Sequence, residues 1–262
     1  MAALAHPRTT AGRVFEHRFL SYRKTFRASV FSSFLLPVLF LTAMGLGLGT
    51  YVDDGGSGSL GGVPYIAFLA SGIVCSSAMM SASFEAMYSG FSRMHVQKTW
   101  DAIMNAPVTL DDVVLGETVW AASKSFLSGM AVLAVAWALG LTQSALALWV
   151  IPVVFLTGLA FAGMGLVMTA LSPSYDFFMY YFTLVITPMM LVCGVFFPTS
   201  QLPEPLQAVT QVLPLTHAVG LARPLMSDTV PTDIALHLAV LAAYAIAGFY
   251  VALVLTRRRL LR

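Results

Sequence analysis

The chain has 262 residues, of which 58% are hydrophobic and 10% charged, against roughly a quarter charged in an ordinary soluble domain. Its mean hydropathy is +0.82 and its formal net charge +2. Fourteen basic and 12 acidic side chains are too few to cover a water-soluble fold of this length, so the composition excludes a soluble globule and points to an all-α polytopic membrane protein.

The first 28 residues are polar and carry Arg8, Arg13, Arg18, Arg23, Lys24 and Arg27. Phe15, Phe19, Tyr22 and Phe26 recur among them at helical spacing, which predicts an amphipathic helix lying in the membrane surface over 1–28. The alternative is a loose basic tail that only sets topology. This lead is too long for a signal peptide, and the apolar run after it is long enough to span, so an uncleaved first span is expected.

Six apolar stretches follow, at 29–51, 64–89, 113–140, 145–171, 177–197 and 233–256, and together they predict a transmembrane domain over 29–256 with a basic tail at 257–262. Six spans put both termini on one side. The two basic ends and the segment holding Arg93 and Lys98 fall on that side, whereas the opposite loops hold Asp53, Asp54, Glu204, Asp228 and Arg223. By the positive-inside rule both termini are then cytoplasmic.

Between spans one and two, residues 53–62 read as a Gly/Ser-rich outer loop. Its match to GxGxxG lacks the preceding strand that a dinucleotide site needs. Gly45 and Gly49 form a GxxxG, and span two is crowded with small residues including Ser71, Gly72, Cys75, Ser76 and Ser81, a composition that lets helices approach closely. Cys75 and Cys193 sit in apolar runs and read as buried free thiols.

The segment from Phe91 to Asp112 is too polar to span. Met94, Lys98, Asp101, Ile103 and Met104 surround Trp100, after Arg93 and His95, in what reads as a short amphipathic helix stopped by Pro107. An aromatic among charges on the cytoplasmic side suits a protein contact, and a helix resting only on lipid is the alternative. Glu85, Glu117 and Lys124 are the ionisable groups inside spans, all toward the cytoplasmic side, and an intramembrane ion pair of Glu85 or Glu117 with Lys124 is favoured over a proton pathway. Between spans five and six, Phe196, Phe197, Pro198, Pro203, Pro205, Pro214, His217 and Arg223 mark a proline-broken, largely apolar segment, read as short helices folded back into the outer leaflet as a re-entrant extracytoplasmic hairpin.

An enzyme needs a convergent reactive set, and HExxH, GxSxG, CxxC and GxxxxGK[ST] are all absent from the sequence. The five histidines have no metal-ligand spacing, no metal site or nucleic-acid partner is expected, and a membrane-embedded lipid-modifying enzyme would have only Glu85, Glu117 and Lys124 to work with.

The arrangement resembles the permease subunit of ABC type-2 exporters. The most specific stretches are Gly194-Val195-Phe196-Phe197-Pro198, Gln201-Leu202-Pro203, Leu213-Pro214-Leu215-Thr216-His217 with Arg223, and Ala106-Pro107-Val108 before Val113-Val114-Leu115-Gly116. Within that family the chain is most similar to NodJ-type permeases of lipo-chitooligosaccharide exporters, through residues 68–72, 83–88, 98–102 and 115–122; His95 departs from the acid usual there. The resemblance implies a homodimeric permease with two separate ATP-binding cassette subunits, which would bind ATP and Mg. This chain would hold no cofactor and would contact membrane lipid and an amphiphilic cargo, a lipo-oligosaccharide or lipid-linked glycan, or else a drug or antibiotic. The helix around Arg93 to Met104 would be the coupling helix, and the location would be the bacterial inner membrane.

Overall fold

The computed structural model describes residues 35, 37–54, 63–105, 108–142 and 144–260. Phe15, Phe19, Tyr22 and Phe26 lie outside these residues. Among the described residues every regular element is helical. Helix α1 (Pro37–Gly47) is continued by Gly49–Asp54, and α2 (Tyr65–Val96) leads to the short α3 (Thr99–Met104). Then come α4 (Leu110–Ala138), α5 (Ala145–Leu171), α6 (Asp176–Val192), α7 (Glu204–Thr210), α8 (Pro214–Met226) and α9 (Ile234–Leu260). Four of these, α2, α4, α5 and α9, are long and apolar enough to cross a membrane; α1 and α6 are apolar but shorter.

The largest departure from the sequence reading is at the end of α2. The second span was expected to stop at 89 with Phe91 onward outside it, yet the helix runs on to Val96 through two π-helical turns, Glu85–Ser89 and Ser92–Val96. Phe91 and Met94 are buried there, and the polarity of Arg93 is satisfied inside the protein, as described below. The Thr169 hydroxyl of α5 donates to the Ala86 carbonyl within the first π turn, at 2.8 Å. Lys98, in the left-handed region at φ 49°, breaks the helix and turns the chain into α3.

Helix α4 starts at a reciprocal cap. The Thr109 side chain accepts from the Asp112 backbone N–H, and the Asp112 carboxylate accepts from the Thr109 N–H and hydroxyl. Asp111 and Asp112 also face the positive end of the helix dipole. Thr109→Ala is expected to cost ~1 kcal/mol, read as a lower apparent melting temperature in detergent with unchanged expression; Thr109→Ser is expected to retain the cap.

The α5–α9 pair forms the most extensive helix packing in the fold. It is permitted by Gly163 and Gly248, where an added Cβ would meet backbone of the other helix at 3.0 Å. The expected basic tail beyond 256 is, as far as Leu260, the last turn of α9. Its arginines are used locally. Arg257 pairs with Asp111 at the start of α4, and Arg259 donates to the Thr169 and Ala170 carbonyls at the end of α5, at 3.2 and 2.8 Å. The end of α2, α3, the start of α4 and the ends of α5 and α9 therefore gather at one basic end of the molecule. At the opposite end Ser144, after α4, bonds to Asp228, after α8, and Asp53 accepts from the Tyr65 N–H at 3.0 Å.

Candidate functional site: a buried ionic relay and its cavity

Helix α4 presents Glu117, Trp120 and Lys124 at i, i+3 and i+7, one stripe toward α2. From α2 come Glu85, on the first π turn, and Arg93, on the second. The Arg93 guanidinium lies between the two carboxylates. Its Nε donates to Glu117 Oε1 at 3.1 Å, Nη2 donates to Glu117 Oε2, and Nη1 donates to Glu85 Oε1 at 2.8 Å. Lys124 Nζ donates to Glu85 Oε2 at 2.7 Å. Two indoles complete the set: Trp120 Nε1–H donates to Glu85 Oε1 at 3.0 Å, and Trp100 Nε1–H of α3 donates to Glu117 Oε1 at 3.1 Å.

The physics of this cluster is fixed by burial. Glu85 is 4% exposed, Glu117 1% and Trp100 1%. Two carboxylates against two cations leave the four groups formally neutral, and the planar guanidinium satisfies Glu117 through two parallel bonds. Charges this deep are tolerated only in such matched geometry. Glu85, Glu117 and Lys124 do meet here, with Lys124 on Glu85; the central member, Arg93, was assigned from sequence to an outward-facing helix. The signal that could have placed it is Phe91 and Met94 on either side, two residues that continue the apolar face of α2.

Several residues expected to meet a partner therefore point inward. Met94 is buried, Trp100 is bonded to Glu117, and His95 and Met104 are half-buried, with the His95 ring 4.6 Å from that of Phe91. Lys98 and Asp101 are exposed, together with Val96, Gln97, Ala102 and Asn105. These six form the outer face of the α2–α3 corner.

Glu85 and Lys124 also line a cavity of about 650 Å³ between α1, α2, α4 and α6. Its walls are apolar, with Phe40, Ile73, Met80, Phe84, Met190 and Phe196, but a series of hydroxyls from Ser76, Ser77, Ser81, Ser89 and Ser128 runs along it. From Ile73 to Ser89 the lining follows α2 for ~24 Å of helix rise. The cavity thus offers a long apolar slot with a polar edge and an ionic floor.

At the opposite end, Phe196 lines the cavity with its ring 5.6 Å from that of Phe40, while Phe197 and Pro198 are half-buried and Pro203 is exposed. Pro214 is buried at the first position of α8, where its fixed φ suits a helix start. His217 is buried, with Nδ1 2.8 Å from His237 Nδ1 and Nε2 2.8 Å from the Gln211 carbonyl. Arg223 of α8 stacks 3.5 Å over the Phe68 ring; its Nε donates to Ser71 Oγ at 3.1 Å, and Nη2 donates to the Gly194 carbonyl at 2.6 Å and the Phe68 carbonyl at 3.4 Å. Burial pushes its guanidinium down to about 10, so it keeps its charge at neutral pH. Gly194 can aim its carbonyl there because it adopts φ +80°.

Residues 13–226 match the family described as ABC-2 type transporter. Over 248 residues the chain is 43% identical to nodulation protein J of Rhizobium meliloti, covering 95% of this chain and 93% of that protein. The protein of the same name from Bradyrhizobium diazoefficiens is 45% identical over 249 residues, with the same coverage. That of Azorhizobium caulinodans is 30% identical over 211 residues, 80% of this chain and 81% of the relative.

Proposed function

Since the chain belongs to the ABC-2 type transporter family, we propose that it is the permease subunit of an ATP-driven exporter that moves an amphiphile, a lipo-oligosaccharide or lipid-linked glycan, out of the cytoplasm. In this reading two copies of the chain pair in the bacterial inner membrane, each docked on an ATP-binding cassette subunit that binds ATP and Mg. Helices α1 and α6 complete six crossings with the four longer helices, and both termini face the cytoplasm. The α7–α8 segment folds back into the outer leaflet, and the exposed Leu206, Val209 and Val212 suit contact with lipid there.

The observation that carries the reading is the unbroken path from α3 to the cavity. Trp100 holds Glu117, Glu117 holds Arg93, Arg93 holds Glu85, and Glu85 with Lys124 forms the cavity floor. A partner that shifts α3 moves a hydrogen-bonded chain rather than a soft apolar contact, and its far end is the site where cargo would lie. The cavity suits an amphiphile of this class: aliphatic chains have Phe40, Met80, Phe84 and Met190, and sugar hydroxyls have the serines. The outer face of the corner, with Lys98 and Asp101, is the docking surface, and Arg93, Met94 and Trp100 act on it from inside.

Lys98→Glu with Asp101→Lys is expected to weaken co-purification with the cognate ATPase on the order of tenfold, ~1.4 kcal/mol, without lowering the permease's own melting temperature. Trp100→Phe is expected to preserve assembly while reducing ATP hydrolysis stimulated by cargo. Export assays comparing lipo-oligosaccharides with hydrophobic drugs identify the cargo class. Full assembly and full stimulation in both variants would overturn the coupling assignment.

A further inference from the structure

Arg223 has a feature that anchoring alone does not explain. Holding α8 to α2 requires hydrogen-bond donors, and Nε and Nη2 supply them to Ser71, Phe68 and Gly194. A full positive charge is not required for that, and among the described residues the half-buried guanidinium has only the Phe68 ring and carbonyl dipoles to offset it, where an anion would do so more fully. None of its hydrogen-bond partners is an acid, and two acids of this end are engaged elsewhere: Asp53 with the Tyr65 N–H and Asp228 with Ser144. Among the described residues Nη1 has no hydrogen-bond partner. It lies next to Gly194, 3.7 Å from where a Cβ on that residue would stand, on the side where Thr199 approaches. A pocket of about 260 Å³ opens here, lined by Val63, Phe68, Pro198, Thr199, Ser200, Arg223 and Ser227. Among the described residues the lining therefore offers Arg223, whose Nη1 has unused donors, the hydroxyls of Thr199, Ser200 and Ser227, and no carboxylate.

We propose that this pocket is an oxyanion-binding site for a phosphate, sulfate or carboxylate group carried by an amphiphile on the face opposite the basic end. The chemistry is specific to the group set. An oxyanion completes the guanidinium fork that the backbone carbonyls leave half used, takes hydrogen bonds from Thr199, Ser200 and Ser227, and supplies the missing countercharge. A neutral sugar would receive the hydrogen bonds but not the charge. The pocket is separate from the Glu85–Lys124 cavity and needs no ATPase, so it stands or falls independently of the exporter reading.

The test uses the full chain purified in dodecyl maltoside. Glucose 6-phosphate and glucose are titrated by microscale thermophoresis, and retention of phosphatidylglycerol is followed by native mass spectrometry. The expected result is that an oxyanion carrier binds at least tenfold more tightly than glucose, and that Arg223→Gln removes this preference. Because Arg223 also anchors α8, the Ser200→Ala/Ser227→Ala double variant is measured in parallel. It leaves every Arg223 anchor bond intact and is expected to weaken the anion several-fold at an unchanged melting temperature. Binding of glucose 6-phosphate with this dependence assigns the oxyanion to a sugar head; retention of phosphatidylglycerol alone with the same dependence assigns it to membrane lipid. Equal binding of glucose and glucose 6-phosphate together with phosphatidylglycerol retention that is unaffected by either variant overturns the proposal.

Discussion

Arg93→Gln is expected to destabilise the protein by ~3–5 kcal/mol, the range for removing one partner of a buried ion pair. The substitution leaves Glu85 and Glu117, which share the Arg93 guanidinium, without it at 4% and 1% exposure, with Lys124 as the remaining cation of the four and placed on Glu85. The cost is electrostatic rather than steric, so it is expected to be recoverable. Arg93→Gln/Glu117→Gln restores formal neutrality, keeps amide donors and acceptors in place, and is expected to regain at least half of the lost stability. A double-mutant cycle on apparent melting in detergent measures the coupling. A cycle showing simple additivity would mean that the guanidinium contributes packing and not charge neutralisation. The stability rescue separates from function. The double variant still lacks the charged bonds between Trp100's acceptor and Glu85, so cargo-stimulated ATP hydrolysis is expected to stay low when the fold is regained.

How far the sequence carried this picture depends on which physical signal each element left. The apolar run that became α5 was legible to its last residue, because lipid-facing and packed surfaces alike demand apolar side chains and Ser172-Pro173-Ser174 follows it, whereas the run of α9 was read only to 256, short of its helical end at Leu260, because the arginines of its last turn are polar. The helical nature of the 199–226 segment was legible from its prolines, which end helices and also start them at Glu204-Pro205 and Pro214. The end of α2 was not legible, since polarity was taken as exit from the membrane. Arg93 is polar in composition yet neutralised by Glu85, eight residues before it, and by Glu117, 24 residues after it, and a linear reading contains no term for a charge cancelled through space. For the same reason Glu85 and Glu117 could be matched to Lys124 but not to their shared arginine. Arg223 was picked out as a signature residue; that its hydrogen-bond partners among the described residues include no acid appears only in three dimensions, with Asp53 and Asp228 engaged elsewhere.

Gly163→Leu and Gly248→Leu are each expected to abolish the native α5–α9 crossing. At both positions the obstruction is main chain: an added Cβ on Gly163 meets Phe249 N at 3.0 Å, and one on Gly248 meets the Gly163 carbonyl carbon at 3.0 Å. A side-chain tip can rotate away, as Ile66 can from Gly45, whereas helix backbone moves only if the whole helix moves. Over-packing typically costs ~1–3 kcal/mol, and a leucine forced against backbone is expected to lie beyond the top of that range. Alanine at either position needs only a few tenths of an ångström and is expected to cost much less. Gly47→Leu is the control, because nothing stands within 4 Å of its Cβ position. The consequence reaches the basic end. Arg257 and Arg259 stand at the foot of α9, where they hold Asp111 of α4 and the closing carbonyls of α5, so a displaced α9 withdraws both contacts at once. Monodisperse yield and apparent melting are expected to fall sharply for the leucine variants and to stay at the parent values for Gly47→Leu. If the leucine variants instead melt like the parent, α5 and α9 do not cross backbone to backbone, and the clamp formed by Arg257 and Arg259 must be held by other contacts.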